Sequence, residues 1–327
     1  MTPPGFWNAH PSRPGWRARL LSPLGWAYAA ATRRRLRQPG YRASVPVICI
    51  GNINAGGTGK TPTVIALMQA LQARGVVAHV VSRGYGGTEA GPLRVDERKH
   101  RASQVGDEPL MMAAFGPVWI ARDRAQGVQA AEAAGAALVL LDDGFQNPSV
   151  AKSASLVVVD AGVGFGNGRC LPAGPLREPV RAGLARAQAV LTIGSPDQRQ
   201  RFIEDWSDAL SAIPVFGARL EPLDTGMSWQ GLRVFGFAGI GRPGKFFDTL
   251  RATGAEVVGT KALEDHQPLT SALFARLERE AKAARAQLVT TEKDLVRLPP
   301  ELRGRVLNLP VRLQIDERDG LLAALGL

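Results

Sequence analysis

The chain predicts a doubly wound α/β domain on a parallel sheet, followed by a smaller α/β domain and preceded by an N-terminal segment of different character. Three observations carry this reading. The short apolar runs VPVICI, VVAHVVS, VWIA, ALVLLDD, LVVVD and AVLTIG are continuous rather than alternating, as strands buried on both faces require. Longer stretches of helical period separate them. The first run, Val45 to Ile50, leads through a Gly-rich turn into one of those stretches, giving the order strand, loop, helix.

That turn, GNINAGGTGKTP, is a candidate phosphate loop. The pattern G-x-x-x-x-G-K-[ST] asks for Gly where Asn54 stands, yet the chemistry survives the mismatch. Gly56, Gly57 and Gly59 can take positive φ and turn successive amides toward an anion, while a helix expected from about Lys60 offers its N-terminal dipole. The candidate nucleotide-binding residues are therefore Asn54, Ala55, Gly56, Gly57, Thr58, Gly59, Lys60 and Thr61. Lys60 would reach the β- and γ-phosphates and Thr61 would ligate Mg²⁺; the alternative is a plain Gly-rich connection with a surface lysine.

Composition bounds the partners. The 327 residues suffice for two α/β domains, with 45% hydrophobic and 21% charged residues. Lys and Arg number 40 against 29 Asp and Glu, a net charge of +11, which points to an anionic partner: nucleic acid, acidic lipid or a phosphorylated substrate. Cys49 lies in the first strand and Cys170 in a Gly-rich loop, so neither a disulfide framework nor a zinc site is indicated, and a reducing cytoplasm is the default.

Residues 1–40 hold Trp7, Trp16 and Trp26, half of the six tryptophans, among many arginines. The uncharged run Leu20 to Thr32 is shorter than the ~20 residues of a spanning helix, and Pro23 is expected to interrupt it. Aromatic residues interleaved with arginines suit the headgroup region of an anionic membrane, or else an arm packed on the domain.

Further along, the Gly-rich, charged stretch from Arg83 to Pro109 is long for a connection and reads as a functional flap. A turn-like composition near residue 222 separates a domain at 41–222 from a second at 223–327. Asp142 and Asp143 end a hydrophobic strand, where a hard cation beside Thr61 would find carboxylate oxygen, although Asp there can also serve a turn. Asp107 and Glu108 precede a proline and an apolar helix, which on local grounds is a helix start. His266 sits among acidic residues in the second domain and could approach Asp107 if the domains close on a cleft. The loop GFGNGRCLPAGPLREP ends in Arg177 and Glu178, and its chemistry alone assigns it no role.

Taken in order across most of the chain, GNINAGGTGKTP, SRGYGG, GDEP, DDGFQ, GNGRCLPAGPLREP, FAGIGRPGKFF, DHQ and TEKD resemble the tetraacyldisaccharide 4′-kinase family, the lipid A 4′-kinases of Gram-negative bacteria. The resemblance implies transfer of the ATP γ-phosphoryl group to the 4′-hydroxyl of tetraacyldisaccharide 1-phosphate, giving lipid IVA, at the cytoplasmic face of the inner membrane. It implies a peripheral membrane contact through the N-terminal segment. It also implies ATP and Mg²⁺ at Lys60, Thr61, Asp142 and Asp143, and a catalytic role for Asp107 with His266 as partner. Glu108, Arg122 and Arg177 are candidate substrate contacts. The family usually has His after DDGFQ, where this chain has Asn147.

A membrane-associated NTPase switch is the rival class. Ala55 stands where such loops carry an early lysine, and no guanine-selecting N-K-x-D is present, which leaves ATP preferred. No RNA-binding module or aromatic single-strand platform is visible, so no nucleic-acid partner is expected.

Overall fold

A computed structural model describes residues 4–265 and 267–327. In chain order its strands are β1 (Val47–Gly51), β2 (Ala78–Ser82), β3 (Leu93–Arg94), β4 (Val118–Ile120), β5 (Leu138–Asp142), β6 (Ala154–Asp160) and β7 (Ala189–Ile193). They continue with β8 (Val215–Pro222), β9 (Arg233–Ala238), β10 (Glu256–Ala262), β11 (Gln287–Thr291), β12 (Leu307–Leu309) and β13 (Val311–Ile315). Among the described residues two sheets form, one ordered β13-β8-β7-β6-β1-β5-β2-β4-β3 and the other β10-β9-β11-β12.

The large sheet is parallel from β8 to β4, with antiparallel pairs only at its two edges. Strands β1, β2, β5, β6 and β7 are buried throughout, which is why their sequences are unbroken apolar runs. Apolar cores lie on both faces: Ile48, Leu140 and Leu156 face one, Cys49, Leu141 and Val157 the other. The small sheet is all parallel, with helices Pro243–Ala252 and Ser271–Ala283 packed against it.

The C-terminal segment departs from the expected division at residue 222. Strand β13 pairs antiparallel with β8 and covers the edge of the large sheet. Helix Arg318–Ala324 then buries Leu321 and Leu322 in the core that also holds Leu67 and Leu71 of helix Lys60–Ala73. The smaller unit thus spans β9 to β12, and the chain returns to the larger one to satisfy an otherwise exposed strand edge.

The N-terminal segment forms one helix, Gly15–Arg35, that runs through Pro23 rather than ending there. The carbonyl deprived of a partner belongs to exposed Arg19, so solvent can satisfy it. The helix docks through a narrow stripe, Ala18, Ser22, Gly25 and Thr32. Gly25 is required by close approach: a Cβ there would lie 2.9 Å from the Cys170 carbonyl oxygen. Trp16, Leu20, Leu24 and Trp26 project outward at 58–72% exposure. Trp7, in contrast, packs on the domain, its indole donating to the Pro172 carbonyl at 3.1 Å. No helix among the described residues is long and apolar enough to cross a membrane.

Return of the C-terminus to the large sheet has a measurable consequence. Leu321→Ala should remove about 2–5 kcal/mol from the unfolding free energy of the larger unit, read as a lower denaturant midpoint; a change of a few tenths would show that the terminal helix does not belong to that core.

Candidate active site

The site is built where β1, β5 and β2 end. Beyond β1 the chain turns through residues 52–59 into helix Lys60–Ala73, capped by Gly59 at φ +96°. A side chain at Gly59 would be strained by that φ and would strike Ile193 Cδ1 at 2.5 Å. Gly56 is also at positive φ, whereas Gly57, expected to share it, is not among the positive-φ glycines; both face open space.

Two of the expected phosphate-loop residues brace the loop instead of lining it. Asn54 Nδ2 donates to the Gly164 carbonyl at 3.0 Å and the Ala55 amide donates to the Pro175 carbonyl at 2.7 Å. From within, Asn52 Nδ2 donates to the Gly56 carbonyl at 3.0 Å, and Gln146 Nε2 ties the Asn52 carbonyl at 2.7 Å to Glu178 Oε1 at 3.0 Å. The loop GNGRCLPAGPLREP, which its own chemistry left without a role, is thus a brace for the phosphate loop.

Lys60 and Asp143 meet at the mouth of the loop, Nζ to Oδ1 3.5 Å, and Arg177 Nη1 lies 3.4 Å from the same oxygen. Asp143 holds a left-handed backbone, φ +51°, with its amide donating to the Ile50 carbonyl at 3.0 Å. Burial pushes its carboxyl upward, but Lys60, Arg177 and Arg124 outweigh this and leave it below the ordinary carboxylate range.

Asp142 is the opposite case. It is 2% exposed; Ser82 donates to Oδ2 at 2.9 Å, and Oδ1 is buried with no protein partner. Burial, together with the charges of Glu108 and Asp143, pushes its carboxyl up to about 7 against the pull of Lys60 and Ser82. An orphaned buried carboxylate oxygen beside a second carboxylate is an environment that a hard divalent cation relieves, so Asp142 and Asp143 fit Mg²⁺, with Thr61 in the first turn of helix Lys60–Ala73. No group of three or more acidic, His or Cys ligands occurs among the described residues.

A cleft of about 420 Å³ opens beside these groups. Asp107, Glu108, Asp142, Asp143, Arg83, Arg124 and Arg177 line it, along with Tyr28 and Arg35 of the N-terminal helix. The cleft brings Asp107 and Glu108 to the phosphate-loop side of the molecule. Arg122 is not there: its guanidinium donates to the Thr88 carbonyl at 3.1 Å on the exposed flap. Asp123 caps helix Arg124–Ala133, and this turn sends Arg124 inward, where Nη2 donates to the Asp143 carbonyl at 3.1 Å. Asn147 Oδ1 accepts from the Ser149 amide at 2.7 Å, a turn contact that needs no imidazole. His266 lies outside the described residues.

The smaller unit meets two of the cleft's carboxylates with charge. Arg297 donates through Nε to Asp107 Oδ2 at 2.8 Å and through Nη2 to the same oxygen, and Lys293 Nζ pairs with Glu108 Oε1 at 2.8 Å. On the far side of the phosphate loop, Asp160 at the end of β6 accepts from Arg242 at 2.7 Å and Lys245 at 2.6 Å.

Residues 17–326 match the family model described as LpxK, Tetraacyldisaccharide-1-P 4′-kinase. The chain belongs to the tetraacyldisaccharide 4′-kinase family. It is 63% identical over 326 residues to the Tetraacyldisaccharide 4′-kinase of Dinoroseobacter shibae, covering 99% of this chain and 97% of the relative. It is 57% identical over 318 residues to that of a Jannaschia species, covering 97% and 96%. The fold matches the crystal structure of the "apo" form of LpxK from Aquifex aeolicus in complex with ATP, with TM-score 0.72 over 94% of this chain and 98% of that one, at 23% identity.

Within this tetraacyldisaccharide 4′-kinase family member, Arg124, Lys293 and Arg297 are the site residues that motif reading missed. Lys293 had a signal in TEKD; Arg297 had none, because its contact spans 190 residues of sequence.

The raised Asp142 yields a pH-dependent prediction. A carboxyl more easily protonated in the folded state leaves stability intact below its ordinary value near 3.8 and costs stability as pH rises toward and past about 7. Without metal and nucleotide, Asp142→Asn should therefore melt higher than the parent at pH 8, by roughly a few degrees, with the difference vanishing near pH 4.

Proposed function

We propose that the chain is an ATP-dependent kinase that phosphorylates the 4′-hydroxyl of tetraacyldisaccharide 1-phosphate, forming lipid IVA. Family membership supports the reaction class. The observation that carries it into this molecule is one cleft lined by Asp142 and Asp143, which meets Lys60, by Asp107, and by the N-terminal helix.

Phosphoryl transfer asks a protein mainly for positioning and charge neutralisation. The amides of residues 56–61, at the start of helix Lys60–Ala73, would cradle the phosphates, with Lys60 and Arg177 neutralising them. Thr61, Asp142 and Asp143 would hold Mg²⁺, which supplies charge neutralisation on the bridging and terminal phosphate oxygens. Asp107, with His266 as its partner, orients the acceptor hydroxyl and takes its proton as the new oxygen–phosphorus bond forms and the bond to the ADP oxygen breaks. The smaller unit excludes water, which would otherwise compete as acceptor.

The acceptor is a phosphorylated amphiphile, which suits the outward row Trp16, Leu20 and Leu24, with Trp26 exposed on another side, on a helix whose last turn is Arg33, Arg34 and Arg35. We place the enzyme peripherally on the cytoplasmic face of the inner membrane, with the aromatic row in the interface and Tyr28 and Arg35 leading into the cleft. No nucleic-acid partner belongs to this reading.

Transfer from γ-labelled ATP to detergent-dispersed tetraacyldisaccharide 1-phosphate is the direct test. Lys60→Ala should lower the rate roughly 10²–10³-fold and Asp107→Ala roughly 10²–10⁴-fold; ATP hydrolysis without lipid product in the parent protein would defeat the kinase. For the membrane contact, Trp16→Ser, Leu20→Ser and Leu24→Ser together should abolish flotation with anionic vesicles while leaving the melting temperature unchanged. Undiminished flotation would show that the row does not enter lipid.

A further inference from the structure

The contact between Arg297 and Asp107 is built too completely to be a surface ion pair, and what it does follows from how both ends are held. Arg297 follows the short helix Glu292–Leu295, and its side chain is 8% exposed. Its own unit grips one edge of the guanidinium: Nη1 donates to the Gly239 carbonyl at 2.7 Å and to Asp294 Oδ1 at 2.9 Å. Asp294 is fully buried and itself fixed, its Oδ2 accepting from the Gly239 amide at 3.1 Å and the Thr291 hydroxyl at 2.7 Å. The other edge crosses to the larger unit and bonds Asp107 Oδ2 through Nε and Nη2. Asp107 Oδ1 accepts from the Glu108 amide at 3.0 Å, so the carboxylate is oriented from both units.

A buried ion pair contributes little net stability against apolar side chains of the same size, so holding two units together does not require one. What the planar guanidinium fork supplies is direction. We propose that Arg297 is a positioning residue for phosphoryl transfer, carried in by the smaller unit to set the Asp107 carboxylate toward the acceptor hydroxyl only when the two units are together. The inference rests on the kinase reading above and deepens it: cleft closure and base orientation become one event. An open enzyme would then hold ATP beside a misaligned base, which limits transfer to water.

The charges around Asp107 make the role measurable. Arg297 and Lys293 face it from the smaller unit, Glu108 adjoins it, and Asp142, Arg124 and Arg83 line the same cleft. Without the guanidinium the carboxylate loses its nearer cation and keeps Lys293 Nζ at 3.9 Å from Oδ2, so beside its acidic neighbours it holds its proton more tightly.

The test compares the full chain with Arg297→Met and Arg297→Lys, following lipid product against pH and the KM for ATP. Arg297→Met should lower kcat roughly 10²-fold with the ATP KM unchanged, and move the acid limb of the profile up by about 1–3 pH units. Arg297→Lys should return the limb toward the parent position while leaving kcat low, because a point charge lacks the fork. An acid limb unmoved in Arg297→Met, or kcat fully restored by Arg297→Lys, would overturn the proposal. If the parent protein forms no lipid product, the kinase reading fails separately. Titration of the ¹³C-labelled Asp107 carboxyl in parent and Arg297→Met then decides the contact: an upward shift supports it and no shift refutes it.

Discussion

Two adjacent carboxylates at the end of a buried strand are the constraint on which the rest of the site depends. β5 runs through the centre of the large sheet, so Asp142 arrives where water is scarce and Asp143 follows it at once. Like charges so placed cannot both remain ionised without cations nearby. The structure divides the problem: Asp143 turns through a left-handed residue toward Lys60, Arg177 and Arg124, and Asp142 stays inside with Ser82 as its protein hydrogen-bond donor. The geometry of the phosphate loop follows from this, because Lys60 is pinned to Asp143 and the loops after β5 and β6 brace residues 52–55. Cation and phosphate would complete a charge balance that the protein leaves half made.

The same logic extends to the boundary between the units. Asp107 and Glu108 meet Arg297 and Lys293 on one side of the phosphate loop, and Asp160 meets Arg242 and Lys245 on the other. Such contacts orient strongly and bind weakly, as the proposed parting and meeting of the two units requires. Burial keeps the Asp294 carboxyl above its ordinary range despite Thr291 and Arg297, so this support is itself dependent on charge. For Lys293, burial opposes the ammonium form, but Glu108 and Asp107 outweigh it and keep the amine charged.

Local physics made much of this legible in advance. Continuous apolar runs identified the central strands because both of their faces are covered, and the Gly-rich turn before Lys60 announced a strand, loop and helix. Limits arose where tertiary contacts decide. Nothing local in Val311–Ile315 tells that it crosses back to β8, since an edge strand reads the same in either sheet. Arg122 and Arg124 differ by two positions, and only the capping of the following helix by Asp123 decides which one turns inward. Asn54 and Ala55 belong to the loop motif, yet their hydrogen bonds run to Gly164 and Pro175, more than a hundred residues away. Asp107 is the helix start that its neighbours indicated, at the head of Asp107–Met112, and only tertiary structure sets it in one cleft with Asp142 and Asp143.

In the proposed enzyme one cleft, met by both units at Asp107 and Glu108, holds nucleotide at the phosphate loop and the acceptor at Asp107. Hydrogen exchange measured with and without Mg²⁺ and a non-hydrolysable ATP analogue tests it most directly. Protection concentrated in residues 56–61 and 142–146, with residues 291–297 of the smaller unit slowed in step, is the expected result. Protection confined to the larger unit, or centred away from the ends of β1 and β5, would contradict the account.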